Sequence, residues 1–182
     1  MNNNENIYIY KENDCKREIE QKKINYCNDL AYLIEKKHRI FCLTNSIQNI
    51  LDKYSNLYDL LINIIYDDVY IAKDVLMGKN DIIKSYANIS SGVKLNNNIY
   101  VERYANIAHN CTIGDNCFIG IGVSIAVGCT IGNNVILNAG TIVKENITIG
   151  NNVIIEIGSV VLKDIPDNCY VVGNPCRIKK MF

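Results

Sequence analysis

The feature that most constrains this chain is a repeat of six residues that runs without a break from Ile83 to Val161. Every sixth residue in this span is Ile, Leu or Val, and the residue four places after each of them is small or apolar. A period of six is neither the 3.6 of an α-helix nor the 2 of a single sheet face. It is typical of a parallel β-helix, in which short strands stack coil upon coil around a narrow apolar core.

A longer period sets the shape of each coil. Similar segments recur every eighteen residues, at 95–98, 113–116, 131–134 and 149–152, and they are rich in Gly and Asn. Eighteen is three hexads, so each coil is predicted to be a triangle with three flat faces. Gly and Asn suit the corners because both tolerate the left-handed backbone region at low steric cost. The fourteen hexads predict a mainly β fold, a parallel β-helix of about 4–5 triangular coils over residues 76–165.

The residues on either side of the repeat follow other patterns. Residues 1–75 are predicted to form a small α/β or helical cap with short strands at 6–10 and 39–43. A short helix is predicted at 28–37, and a longer one begins at Ser46, after which apolar residues continue at helical spacing to Ile65. The chain's only two prolines, Pro166 and Pro175, mark the exit from the β-helix into an extended tail over residues 166–182.

Composition argues against several classes of function. The 19 basic and 19 acidic residues balance, so neither nucleic acid nor a membrane surface is an expected partner. No apolar run reaches the length of a membrane span, and the first residues lack the layout of a signal peptide, so a cytoplasmic location is expected. Cys111, Cys117 and Cys129 fall on inward positions of the repeat, where they act as small hydrophobes. Because no CxxC pair occurs, no thiolate metal site is predicted.

Comparison of neighbouring coils points to one candidate catalytic residue. Residues 108–116, 126–134 and 144–152 are near copies, but His109 stands where the later coils have Val127 and Glu145. This position lies two places after an inward aliphatic residue, so its side chain is predicted to point outward near a corner. A lone outward histidine is usually only solvated. Imidazole is nevertheless the side chain best suited to take a proton from a nucleophile near neutral pH.

The run 106–143, followed by KDIPDNCYVVGNP at 163–175, resembles the hexapeptide-repeat acyltransferases. Within that family it is most similar to the sialic-acid O-acetyltransferase and UDP-amino-sugar N-acetyltransferase branch, and the resemblance covers about residues 85–180. It implies a left-handed parallel β-helix, an exception to the right-handed crossover rule. It also implies a homotrimer, with acetyl-CoA in a groove between neighbouring β-helices, and a sugar or amino-sugar acceptor.

The resemblance implies roles for individual residues. His109 would act as general base on the amine or hydroxyl of the acceptor, which attacks the thioester directly, and Asn110 beside it would orient the imidazole or the substrate. Glycines and small residues would let the backbone approach the pantetheine arm, although ordinary corner geometry explains the glycines equally well. Basic residues near the tail, whose GNPCRIKK resembles the family's GNPAK ending, would meet the CoA phosphates. The residues implied to contact acetyl-CoA are Phe118, Ala139, Gly140, Ile157, Gly158, Lys163 and Arg177.

Three departures from the family pattern leave the acceptor open. Asn110 stands where some relatives have a carboxylate, so Glu102 or a carboxylate of a neighbouring chain would have to raise the basicity of His109. Phe118 stands where some relatives have a second histidine, so it would only pack against the acyl group. Residues 1–77 contain no glycine and therefore lack the Gly-rich loop of a dinucleotide-binding fold. The sequence does not decide between O- and N-acetylation.

Two other functions are considered. A γ-class carbonic anhydrase shares the coil, but it needs three histidines on zinc and this chain has only His38 and His109. The remaining alternative is a catalytically silent β-helix that serves as a scaffold or assembly module. That alternative predicts neither cofactor binding nor any effect of the substitution His109→Ala.

Overall fold

The computed structural model describes residues 7–11, 25–26, 39–43 and 61–182. The chain divides into two compact units, Met1–Ile64 and Ile65–Phe182. In the first unit, β1 (Ile7–Lys11) pairs in parallel with β2 (Asn25–Tyr26) and with β3 (Arg39–Leu43). The strands predicted at 6–10 and 39–43 are confirmed. The helix predicted at 28–37 and most of the one that begins at Ser46 lie outside the described residues.

The solenoid consists of short strands in three parallel sheets, one for each face of the coil. The first sheet contains β4 (Ile64–Ile65), β7 (Ile82–Ile83), β10 (Tyr100–Val101), β13 (Phe118–Ile119), β16 (Ile136–Leu137), β19 (Val153–Ile155), β21 (Cys169–Gly173) and the terminal β22 (Cys176–Met181). The second contains β5 (Tyr70–Ile71), β8 (Asn88–Ile89), β11 (Asn106–Ile107), β14 (Ser124–Ile125), β17 (Ile142–Val143) and β20 (Val160–Val161). The third contains β6 (Leu76–Met77), β9 (Lys94–Leu95), β12 (Thr112–Ile113), β15 (Thr130–Ile131) and β18 (Thr148–Ile149).

The register confirms a coil of eighteen residues, because Ile107 pairs with Ile89 on one side and with Ile125 on the other. The predicted number of coils is too small. The second sheet holds six strands, so the solenoid has about six coils instead of four to five. The difference arises at the N-terminal end, where β4 begins at Ile64, upstream of the predicted start. The helix predicted from the apolar spacing that continues to Ile65 is therefore wrong at its C-terminal end, because Ile64–Ile65 is a strand.

The core is the column of inward residues that the hexad pattern marks. Ile107, Ile125 and Val143 are fully buried, as are the cysteines at the four-after positions. The thiols of Cys111 and Cys129 each donate to a carbonyl on the next coil, at 3.1 Å to Ala126 and Lys144 respectively. These cysteines thus pack as small apolar groups whose weak donors are satisfied. No helix long and apolar enough to cross a membrane occurs in the described part of the chain.

Three-residue corners join the faces, and we name them by the residues they carry. The glycine corner comprises residues 66–68, 84–86, 102–104, 120–122, 138–140 and 156–158. The histidine corner comprises residues 72–74, 90–92, 108–110, 126–128, 144–146 and 162–164. The asparagine corner comprises residues 78–80, 96–98, 114–116, 132–134 and 150–152. At nearly every level the third residue of a corner has a positive φ, as at Asn116 (59°) and Asn134 (56°).

The glycines of the asparagine corner have a different purpose from the one predicted. Gly114, Gly132 and Gly150 are not in the left-handed region, which the asparagines two places later occupy. A Cβ on Gly132 would lie 2.7 Å from the backbone carbonyl of Gly150 on the next coil. Glycine is therefore needed there because adjacent coils approach closely, and asparagine alone supplies the left-handed turn.

The C-terminal residues extend the first sheet. β21 adds in parallel to β19, and β22 then returns antiparallel to β21. This hairpin brings residues 175–178 back against the end of the histidine corner, at residues 162–165. Lys179 and Lys180 on β22 are exposed.

Candidate functional site

His109 lies where the sequence predicts it, on the surface of a corner. Ile107 ends β11 with a buried inward side chain, and the chain then turns through residues 108–110. The carbonyl of His109 accepts from the Gly128 N–H at 2.9 Å, and the Asn110 N–H donates to the Ser91 carbonyl at 3.1 Å. The coils above and below therefore fix the backbone, while the His109 side chain is exposed.

A carboxylate that the sequence analysis did not single out belongs to the same corner. Asp74 accepts hydrogen bonds from the Ser91 hydroxyl at 2.6 Å and from the Gly92 N–H at 3.0 Å. The Ser91 hydrogen bond lowers the pKa of Asp74, and the positive charge of His109 acts in the same direction. An ionised carboxylate thus lies within electrostatic range of the imidazole. The sequence did contain a signal for this carboxylate, because Ile71 and Met77 fit the six-residue repeat and that repeat places Asp74, which lies between them, at a corner.

Glu102, the carboxylate considered in the sequence analysis, lies on a different corner. It lines a cavity of about 360 Å³ at the glycine corner. The other lining residues are Phe118, Gly120, Ile121, Asn138 and Ala139. The Phe118 ring stacks on Tyr100 with ring centroids 5.6 Å apart. Within one chain, Glu102 and His109 are separated by the whole second face, so Glu102 does not support the histidine of its own chain.

The upper levels of the glycine corner form an open strip. Gly122, Gly140 and Gly158 have φ values of 64°, 68° and 66°, so each supplies the left-handed turn. A Cβ built on Gly122 or Gly158 meets nothing within 4 Å. Large apolar side chains beside the strip are exposed, with Ile121 at 48% and Ile157 at 66%. Glycine at these positions therefore supplies the left-handed turn and also leaves room for a ligand.

A hydrogen-bonded pair fixes the top of this strip. The Tyr170 hydroxyl donates to one oxygen of Glu156, and the other oxygen accepts the Ile157 N–H at 2.9 Å. The hydrogen bond from Tyr170, followed by that from Ile157, lowers the pKa of the Glu156 carboxyl. An ionised Glu156 therefore holds the corner at Ile157 and Gly158 in one conformation.

A second cavity, of about 610 Å³, lies at the C-terminal end of the histidine corner. The hairpin places Arg177 in its wall together with Lys163, and both cations are exposed. Two cations beside one cavity can hold a phosphate group. Cys176 also lines this cavity and is half-buried, and burial raises the pKa of its thiol.

The predicted site residues therefore fall into two groups. His109, Asn110 and Lys163 lie along the histidine corner, and Arg177 joins them through the hairpin. Phe118 lies beside the glycine corner, whose upper levels hold Ala139, Gly140, Ile157 and Gly158. The strands of the second sheet, such as Asn106–Ile107, lie between the two corners, so a single chain does not bring the two groups together. Among the described residues no cluster of three His, Cys, Asp or Glu side chains suits a metal ion.

Comparison with known proteins identifies the repeat. The model of the bacterial transferase hexapeptide (six repeats) matches residues 110–145. No curated protein sequence matches the chain.

Solved structures share the fold along most of the chain. One is a histidine-to-asparagine mutant of perosamine N-acetyltransferase from Caulobacter crescentus in complex with CoA and GDP-perosamine, with 20% identity, a TM-score of 0.80, and 96% of this chain and 97% of that chain covered. Another is the acetyltransferase domain of PglB from Neisseria gonorrhoeae in complex with acetyl coenzyme A, with 20% identity, a TM-score of 0.75, and 85% of both chains covered. Residues 110–145 thus match the hexapeptide repeat of bacterial transferases, and the chain shares the fold of these solved acetyltransferase structures.

Proposed function

We propose that this chain is an acetyl-CoA-dependent acetyltransferase that acts on the amine or hydroxyl of a sugar or amino sugar. The observation that supports this most directly is the arrangement of two adjacent corners on one face. One corner carries His109 and ends at the cationic cavity, and the other carries the open glycine strip. Of two solved structures of the same fold, one contains CoA and GDP-perosamine and the other contains acetyl coenzyme A, which agrees with this proposal.

The heights of the residues suit a CoA molecule that runs along the solenoid axis. Lys163 stands three coils above His109 in the same column. With about 4.8 Å between coils, the two residues are about 14 Å apart in height. That is of the order of the length of a pantetheine arm. The phosphates would then bind Lys163 and Arg177, and the thioester would reach the level of His109.

Because one chain separates the two corners, we propose that the site forms between copies. The glycine corner of one chain would face the histidine corner of the next at equal height. Each chain offers one corner of each kind, so the contact is head-to-tail, and we propose that its rotation closes a ring. A ring of three chains would contain three equivalent sites, in keeping with the trimer that the family resemblance implies.

The chemistry would be a direct transfer. The acceptor nitrogen or oxygen attacks the thioester carbonyl, His109 takes the proton that the nucleophile loses, and the same proton passes to the departing CoA thiolate. The backbone N–H groups of Ile121 and Ala139 have no acceptor in the described part of the chain. At the equivalent position in two other coils, the N–H donates to the carboxylate of the preceding glutamate, from Arg103 to Glu102 and from Ile157 to Glu156. Gly120 and Asn138 leave it open, so the Ile121 N–H, which lies one coil above the level of His109, can hold the oxyanion.

The cavity with the two cations is tested by alkylation of Cys176. Bound acetyl-CoA should cover this cavity, so saturating cofactor is expected to slow the reaction of Cys176 with iodoacetamide about tenfold or more. Peptide-resolved mass spectrometry gives the rate for this residue alone. The fully buried Cys111 and Cys129 serve as controls and should stay unlabelled in the folded protein. An unchanged rate at Cys176 would place the cofactor elsewhere.

The shared site is tested by mixing two inactive variants. His109→Ala removes the base, and Ala139→Trp fills the groove of the glycine corner. When the two are unfolded together and reassembled at equal amounts, about one site in four combines an intact histidine corner with an intact glycine corner. We expect about a quarter of the parent activity to return, measured as CoA release with an amino-sugar acceptor. A mixture as inactive as its components would place the site within one chain.

A parent protein that does not bind acetyl-CoA in a calorimetric titration would support the scaffold alternative.

A further inference from the structure

Two tyrosines occupy a backbone conformation that the rest of the solenoid reserves for other residues. The described residues include eleven non-glycine residues with positive φ, of which nine are Asn or Asp and the other two are Tyr86 (66°) and Tyr104 (60°). A bulky residue in this region stores about 1–3 kcal/mol of strain. The next three levels of the same column use glycine instead. The turn itself therefore does not require tyrosine, and the strain points to a use for the rings.

The two rings form a stacked pair on the surface, which we call the tyrosine ladder. Their centroids are 5.3 Å apart and their planes differ by 7°. Tyr86 and Tyr104 remain 53% and 60% exposed. Tyr86 covers one face of Tyr104, and the next position in the column is Gly122, where a built Cβ meets nothing within 4 Å. The second face of Tyr104 is thus not covered by a side chain of its own column.

The surroundings of Tyr104 give the ladder a chemical preference. Glu102, two residues earlier, lines the cavity that also contains Phe118 and Ile121. One Glu102 oxygen accepts the Arg103 N–H at 3.1 Å, and in the described part of the chain the other has no hydrogen-bond donor. Glu102 and Tyr104 thus belong to the same three-residue corner, and a carboxylate with spare acceptor capacity on a corner that also exposes an aromatic face suits a ligand that carries a cationic amine.

We propose that the tyrosine ladder is the platform for the acceptor and that the acceptor is an amino sugar. Its ring lies on the open face of Tyr104, and its ammonium lies over the aromatic ring and against Glu102. This inference rests on the proposed function, because it places the acceptor at the acetyl end of the groove. Tyr104 belongs to the same coil as His109, so a neighbouring copy at equal height would bring its histidine to the bound amine. The proposal therefore selects N-acetylation over O-acetylation.

The test is the substitution Tyr104→Gly, which gives this level the residue found at the three levels above and relieves the strain. The probes are GDP-perosamine and glucosamine, titrated against the full-length protein in the presence of CoA. Saturation-transfer NMR and calorimetry report binding without turnover. We expect Tyr104→Gly to weaken binding of at least one probe about tenfold or more, with acetyl-CoA affinity unchanged. Tyr104→Phe keeps the ring face and should bind as the parent does. Asn134→Gly, a matched exposed corner with φ of 56°, should have no effect on binding.

Three results would overturn the platform. The first is that the parent protein binds neither probe. The second is that Tyr104→Gly binds both probes as well as the parent does. The third is that sedimentation shows dissociation of the assembly by Tyr104→Gly. The last result would make the ladder a contact between subunits. Failure of the proposed function looks different, because a parent that binds amino sugars through Tyr104 but not acetyl-CoA keeps the platform and loses only the enzyme.

Discussion

Replacing His109 by alanine is expected to lower kcat for acetyl transfer by about a hundred- to ten-thousand-fold, the usual contribution of a general base. The side chain is exposed and the corner is held by backbone hydrogen bonds, so the fold does not depend on the imidazole. Acetyl-CoA affinity and Tm should therefore stay close to those of the parent. Steady-state kinetics, calorimetry and thermal melting separate these three quantities.

Two further measurements distinguish a base from a merely structural residue. Added imidazole should restore part of the activity of His109→Ala, because the vacated corner is open to solvent. Asp74→Asn should reduce kcat only a few-fold, since the hydrogen bonds of the carboxylate go to Ser91 and Gly92 and not to His109. If His109→Ala retains most of its turnover, another group takes the proton and the histidine corner loses its catalytic assignment.

The second large effect is expected on stability, from Gly132→Ala. The added Cβ would lie 2.7 Å from backbone atoms of Gly150, which cannot move aside as the end of a flexible side chain could. Forcing extra atoms into a packed structure destabilises it by about 1–3 kcal/mol, and a clash between two backbones belongs at the upper end of that range. We expect Tm to fall by several degrees, measured at a fixed protein concentration because assembly also affects Tm.

The control for this prediction is Gly122→Asn. Gly122 has a φ of 64° and open space around it, and asparagine is the common non-glycine residue at such corners here. Its substitution should change the free energy of unfolding by only about 0.5 kcal/mol. If Gly132→Ala melts with the parent, adjacent coils can separate at the asparagine corner, and close approach is not what requires glycine there.

The solenoid was predictable because one period governs both pairing and burial. Inward positions such as Ile107 and Ile125 repeat at six residues and pair at eighteen, so the pattern specified faces, register and core together. The number of coils was underestimated at the N-terminal end. There, Ile65 fits helical spacing as well as the hexad phase, and pairing of Ile64–Ile65 with the next coil decided the outcome.

The candidate site was predictable only in part, for physical reasons. The outward position of His109 follows from its place after Ile107. Tyr86 stacks on Tyr104 because the two residues are eighteen positions apart. The hexad pattern marks only inward positions, so it gave no reason to compare these two outward residues. The cavity at Lys163 depends on β22 returning antiparallel, which no repeat encodes. The separation of the two corners becomes clear only when the coil is closed into a triangle.

The antiparallel strand β22 also limits how far the structure can grow. A stack of identical parallel rungs offers its last rung as a template for another rung, from the same chain or from a different molecule. Here β22 covers the last parallel strand, β21, in the opposite direction and presents the exposed charges of Lys179 and Lys180 to solvent. On this face of the coil, polymerisation end to end would need another molecule to pair against a charged strand of the wrong polarity. The hairpin thus acts as a terminator that keeps a fibre-like architecture at a finite length.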